Sequence, residues 1–149
     1  DDAVEALKTQ LIPLAELLTP NIPEASVLLG RKIFVAAEML AAAEELAGLG
    51  CRNVLVKGGH LEGEDSDDCL YLGDGKRIVQ FPGVRIETRN NHGTGCTLSS
   101  AIAAFLARGD DVEAAVRHAK RYITEAIRAG AGYRIGHGHG PVHHFHRFW

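Results

Sequence analysis

The stretch Asn53-Val54-Leu55-Val56-Lys57-Gly58-Gly59 decides the fold. Its centre is short, apolar and β-branched, and it ends abruptly in two glycines. It therefore reads as a strand buried on both faces that opens into a tight loop. Before it, apolar residues at 35, 39, 42, 46 and 49 recur at helical spacing, and Gly48 and Gly50 end the run. Further back, Asn21 can cap a short helix with Pro23 in its first turn and Gly30 at its end. Pro20 disfavours helix at Thr19, so Leu14 to Leu18 reads as extended, and Asp2 to Leu11 as a helix stopped near Pro13. Downstream, an acidic loop from Glu62 to Asp68 leads to Cys69–Leu72 and Lys76–Phe81, which flank Gly73-Asp74-Gly75 as a hairpin. A short strand is expected over Val84 to Glu87, and a helix from about Gly95 to Arg108. A last helix is predicted from Val112 to Ala129, with an apolar stripe at 112, 115, 116, 119, 123, 126 and 127. Asp110 or Asp111 is its cap and Gly130 its stop. Alternating helices and strands predict an α/β layer structure with a largely parallel sheet.

The chain has 149 residues, 46% hydrophobic and 23% charged, with a formal net charge of -3. That balance suits one folded domain and argues against disorder, collagen or coiled coil. Lys+Arg 16 against Asp+Glu 19 provides no global positive field for nucleic acid or an anionic membrane. No apolar run approaches the roughly 20 residues that span a bilayer, and the start carries no signal-peptide pattern. Cys51, Cys69 and Cys96 form no CxxC pair, so free thiols and a cytoplasmic location are expected.

The sharpest chemical signal is Asn90-Asn91-His92-Gly93-Thr94-Gly95-Cys96-Thr97, leading from an extended segment into an apolar helix. Two glycines around a threonine at a helix start let successive N–H groups turn toward one point, which makes an anion site. The glycines also serve a plain tight turn. The absence of Gly-Lys-Ser/Thr excludes a Walker A loop. Cys96 falls in the first turn, where the helix dipole favours a thiolate that can act as base or nucleophile, although a free cysteine is commonly a small buried residue. Lys57 closes the buried strand and either faces a ligand crevice or snorkels to solvent. Asn21 and Glu24 either hold a hydrated Mg²⁺ or cap their helix. The ending from Gly136 to Trp149 carries five of the eight histidines. It reads as a metal-binding tract or as a tail packed onto the body.

Four segments occur in one order: LLTPNIPEASVLLG (17–30), VLVKGGHL (54–61), NNHGTGCTLSSAIAAFLARG (90–109) and GHGHGPVHHFHRFW (136–149). Together they resemble the bacterial hydroxymethylpyrimidine/phosphomethylpyrimidine kinases of thiamine biosynthesis, members of the ribokinase-like fold. GTGC is the most telling piece, because most ribokinase-like sugar kinases carry aspartate where this chain has Cys96. The resemblance implies a three-layer α/β/α sandwich of which the 149 residues form the carboxyl-terminal, ATP-side part. It implies that Gly93, Thr94, Gly95 and Cys96 form the anion hole, with Cys96 in place of the usual base. It further implies that Lys57 neutralises ATP phosphate charge, and that Asn21 and Glu24 help position Mg²⁺ and phosphate. The implied partners are ATP and a small pyrimidine, with no nucleic acid or membrane, and a homodimer at full length. Asn91 stands where the family usually has threonine, and the family's pyrimidine-side first half is not among these residues. Two other readings are a pyridoxal-type vitamin kinase and a non-catalytic nucleotide- or metal-binding fragment.

Overall fold

The computed structural model describes residues 2–59 and 66–148. Most of the acidic loop expected over 62–68 lies outside the described residues. The chain forms two compact units, residues 1–85 and 86–149.

In the first unit, helix α1 (Asp2–Ala6) continues through a π turn (Leu7–Leu11) into a 3-10 turn (Ile12–Leu14) around Pro13. The extended segment expected over Leu14–Leu18 therefore shrinks to strand β1 (Leu17–Leu18). Proline fits a first helical turn, and here it prolongs the winding rather than stopping it. Helix α2 (Ile22–Leu29) has the predicted ends, with Asn21 as N-cap, Pro23 in the first turn and Gly30 left-handed at φ 69. Helix α3 (Ala37–Ala47) starts two residues later than Val35 and buries Met39, Ala42, Ala43 and Leu46. Ala36 offers no side-chain cap there. The Glu38 carboxylate instead accepts the Phe34 and Val35 amides at 2.7 and 3.2 Å, which holds its pKa below the usual range.

Strand β2 (Asn53–Lys57) is buried up to Val56, which explains its unbroken apolar run. It pairs parallel with β1, antiparallel with β3 (Asp68–Leu72), and β3 pairs antiparallel with β4 (Arg77–Phe81). The sheet order is β1-β2-β3-β4, so the expectation of a largely parallel sheet is corrected to a mixed one. The reason is connection length. Residues 58–67 are too few for the dozen or so that a parallel crossover requires, and Gly75 and Lys76 (φ 79 and 48) turn β3 straight back into β4. No strand forms over Val84–Glu87, where Val84 is 79% exposed. Val84 makes an isolated bridge and Ile86 is half-buried, but no ladder extends from them.

Val54, Val56, Cys69 and Tyr71 pack with α2 and α3 in the core of this unit. Buried Asn53 is satisfied at the strand start. Its Nδ2 donates to the Glu16 carbonyl at 2.9 Å and its Oδ1 accepts the Gly73 amide at 3.3 Å.

The second unit contains helices α4 (Thr94–Ala107) and α5 (Val112–Gly130) and the tail that follows. Asp111, not Asp110, caps α5, its carboxylate accepting the Ala114 amide at 2.8 Å. Asp110 instead meets His118 Nδ1 at 2.7 Å. Gly130 is the last helical residue rather than the residue after the helix. The predicted stripe is buried at Ala115, Val116, Ala119, Ile123 and Ala126. Among the described residues, no helix is long and apolar enough to cross a membrane.

Candidate active site

The candidate residues divide between the two units. In the first, Asn21, Glu24 and Lys57 come together at the end of β2. The Lys57 amide donates to the Pro20 carbonyl at 2.9 Å, and Asn21 bridges to Lys57 in a parallel sense. Lys57 therefore sits where the strand stops and α2 begins. Its side chain is partly exposed and has no carboxylate partner among the described residues. Gly58 follows it, buried, its amide donating to Asp68 Oδ1 at 3.0 Å.

Asn21 and Glu24 form a reciprocal capping box. Asn21 Oδ1 accepts the Glu24 amide and Glu24 Oε2 accepts the Asn21 amide, both at 2.8 Å. The capping alternative is thus realised, and it leaves the second carboxylate oxygen of exposed Glu24 for another task. Among the described residues, no three His, Cys, Asp or Glu side chains gather into a metal cage. Mg²⁺ fits such a place nonetheless, because it keeps several waters and takes one or two carboxylates together with phosphate oxygens. A cavity of about 480 Å³ also touches Glu24, but Val4, Leu7, Leu18 and Leu28 make its wall apolar and unsuited to phosphate.

In the second unit, Gly93 is the N-cap of α4 in the left-handed region (φ 81, ψ 4) and supplies no side-chain cap. Its carbonyl accepts the Thr97 amide at 2.8 Å, closing the first turn. Gly95 and Cys96 then occupy the second and third helical positions, whose amides a cap side chain normally satisfies. Helices α2 and α5 both have such caps, from Asn21 and Asp111, whereas α4 does not. The entrance to α4 thus presents amides and a positive dipole end to whatever anion arrives. The Thr94 hydroxyl donates to the Asn91 carbonyl at 2.7 Å, so this side chain shapes the loop.

Cys96 is exposed, which removes the reading of a buried apolar filler, whereas Cys51 and Cys69 are buried. Burial pushes the Cys69 thiol up to about 11 and raises that of Cys51. Both stay protonated and unreactive near neutrality. Iodoacetamide at about pH 8 is expected to alkylate Cys96 first and to spare Cys51 and Cys69 until unfolding. Peptide mapping of the alkylated chain checks this, and Cys69 labelling at the Cys96 rate would contradict it.

Sequence reasoning missed the residues that brace this loop. Buried Asn90 donates from Nδ2 to the carbonyls of Gly130 and Tyr133, each at 2.7 Å. Gly140 lies so close over Asn90 that any β-carbon there would overlap its Oδ1. The His92 amide donates to the Gly140 carbonyl at 3.0 Å, and His92 bridges to Pro141. His139 Nδ1 is 3.1 Å from Asn91 Oδ1, and His144 Nε2 is 3.0 Å from Thr97 Oγ1. The histidine-rich ending is therefore docked through buried Gly140 and Val142 and the contacts of His139 and His144, while Phe145 and Phe148 stay exposed.

The family described as phosphomethylpyrimidine kinase has a sequence model that matches residues 1–143. A hydroxymethylpyrimidine/phosphomethylpyrimidine kinase of Rhizobium meliloti is 52% identical over 99% of this chain and 55% of its own length. The chain thus spans about half the length of such curated relatives. Among solved structures, an ADP complex of Bacillus subtilis pyridoxal kinase has a TM-score of 0.90 at 36% identity, over 98% of this chain and 54% of that one. A phosphomethylpyrimidine kinase from Clostridium difficile 630 has a TM-score of 0.68 at 43% identity, over 83% and 48%. The mixed α/β arrangement is accordingly the ribokinase-like fold of these kinases. With its motifs in family order and a family match over nearly its whole length, the chain belongs to the phosphomethylpyrimidine kinase family.

Proposed function

We propose that these residues are the carboxyl-terminal, ATP-side portion of a kinase acting in thiamine biosynthesis. The complete enzyme transfers the terminal phosphoryl group of ATP to 4-amino-5-hydroxymethyl-2-methylpyrimidine, and then to its monophosphate. The observation that carries this reading is the uncapped entrance to α4, with left-handed Gly93 before the Gly95 and Cys96 amides. Phosphoryl transfer asks a protein mainly for positioning and electrostatic stabilisation, and that is what such an entrance offers.

In this reading the Gly93–Cys96 loop cradles the phosphoryl group in flight. The Cys96 sulfur takes the proton of the substrate hydroxymethyl as its oxygen attacks phosphorus, and ADP leaves. Lys57 offsets phosphate charge, and Glu24, oriented by Asn21, would help hold Mg²⁺. A bound Mg²⁺ would neutralise phosphate oxygens. Free thiols fit a cytoplasmic enzyme, and the family likeness alone supports a homodimer at full length.

A coupled ADP-release assay of the complete enzyme on hydroxymethylpyrimidine, with pyridoxal beside it, tests the proposal. The pyridoxal arm is there because a pyridoxal kinase matches the fold at a TM-score of 0.90. Turnover of pyridoxal alone would replace the pyrimidine reading, and nucleotide binding without turnover of either would end the kinase reading. Lys57→Ala is expected to raise the KM for ATP roughly 10- to 100-fold, the worth of a hydrogen bond to a charged group. Its melting temperature should stay near wild type, and an unchanged KM would remove Lys57 from the site.

A further inference from the structure

The loop that opens α4 has a design problem. It keeps a left-handed glycine and uncapped amides, and its internal ties are the Thr94 hydroxyl on the Asn91 carbonyl at 2.7 Å and the Thr97 amide on the Gly93 carbonyl at 2.8 Å. Further stiffness comes from elsewhere in its unit. The tail supplies it on both sides. Before the loop, the Gly140 carbonyl holds the His92 amide at 3.0 Å and His139 meets Asn91 at 3.1 Å. After it, His144 Nε2 meets Thr97 Oγ1 at 3.0 Å. Thr97 is the residue whose amide closes the first turn onto Gly93 at 2.8 Å, so fixing Thr97 fixes the loop's exit.

His144 is itself anchored. Its carbonyl accepts the Tyr122 hydroxyl from α5 at 2.9 Å, and the neighbouring His143 amide donates to the Ala126 carbonyl at 3.0 Å. Val142, two residues back, is 3% exposed. The backbone at His144 is thus tied to α5, and its imidazole reaches the first turn of α4.

We propose that His144 is a positioning residue for phosphoryl transfer, acting through Thr97 to hold residues 93–96 in transfer-ready geometry. The inference rests on the kinase reading above. A loop aligned to within a fraction of an ångström matters for a reaction whose rate comes from positioning.

The test uses the complete kinase with His144→Ala, His144→Gln, Thr97→Val and the His144→Ala/Thr97→Val pair. Steady-state kcat, melting temperature and amide hydrogen exchange over 94–97 are the readouts. Each single truncation should lower kcat roughly 3- to 10-fold, the worth of one hydrogen bond expressed as a rate. The double variant should be no slower than the singles, because both remove one contact. His144→Gln, which can still reach the hydroxyl, should recover most of the rate. Exchange over 94–97 should quicken in both truncations, with melting unchanged. Multiplicative losses in the double variant, unchanged kcat, or a loss that tracks melting would overturn the proposal. If wild type phosphorylates no pyrimidine, the function reading fails by itself. The exchange arm then decides the brace, and unaltered exchange in His144→Ala overturns it.

Discussion

Cys96→Ala in the complete kinase is expected to lower kcat at least about 100-fold, the lower end of what a positioned general base contributes. The KM for ATP should stay within about threefold, because the thiol is proposed to touch the accepting hydroxyl and not the nucleotide. The structure supports the split. Cys96 is exposed at the third position of an uncapped helix, while the amides beside it remain after the substitution. Loss of kcat with preserved KM marks an interaction made only in the transition state. Cys96→Ser, with a hydroxyl that ionises far less readily, should lie nearer alanine than wild type. Steady-state kinetics by ADP release measure all three, and near-normal kcat in Cys96→Ala would refute the base assignment.

Gly58→Ala should destabilise the first unit by about 2–4 kcal/mol, the cost of forcing atoms into a packed site. Gly58 is buried directly after Lys57, and a β-carbon there would overlap the Asp67 carbonyl oxygen and press on Met39 Cε at 3.3 Å. A backbone oxygen cannot swing aside as a side chain can. Relief would pull the end of β2 away from β3, where the Gly58 amide meets Asp68 at 3.0 Å. Gly59→Ala is the control, since a β-carbon at that exposed position meets nothing within 4 Å. Thermal melts of both variants decide it. Equal melting temperatures would show that the strand end tolerates the shift.

The parts legible in the sequence were those set by chemistry within a few residues. Asn21, Pro23 and Gly30 mark the ends of α2 because capping is local, and β2 announced itself because burial on both faces leaves no alternation. Strand polarity was misjudged because alternation of elements was weighed above the short link between Lys57 and Asp68. Val84–Glu87 looked like a strand from its residues, yet pairing there stops at a single bridge at Val84. At the site, glycine spacing revealed the loop. The partners of the loop, Asn90 with Gly130 and Tyr133, or His139 with Asn91, lie 40 to 48 residues apart, and no local pattern encodes such pairs.

That separation has a consequence for synthesis. The ribosome delivers the chain from its amino end at about 5–20 residues per second. Asn91 therefore emerges roughly 2–10 s before His139, 48 residues behind it. During that interval α4 can wind, but its entrance has no brace. The geometry proposed for catalysis thus sets only after residues 139–144 have followed the two helices out. A stop codon between Gly130 and Gly140 would leave both helices intact and the entrance slack. Damage of that kind would escape a measurement of helical content and show itself in turnover and in amide exchange over 94–97.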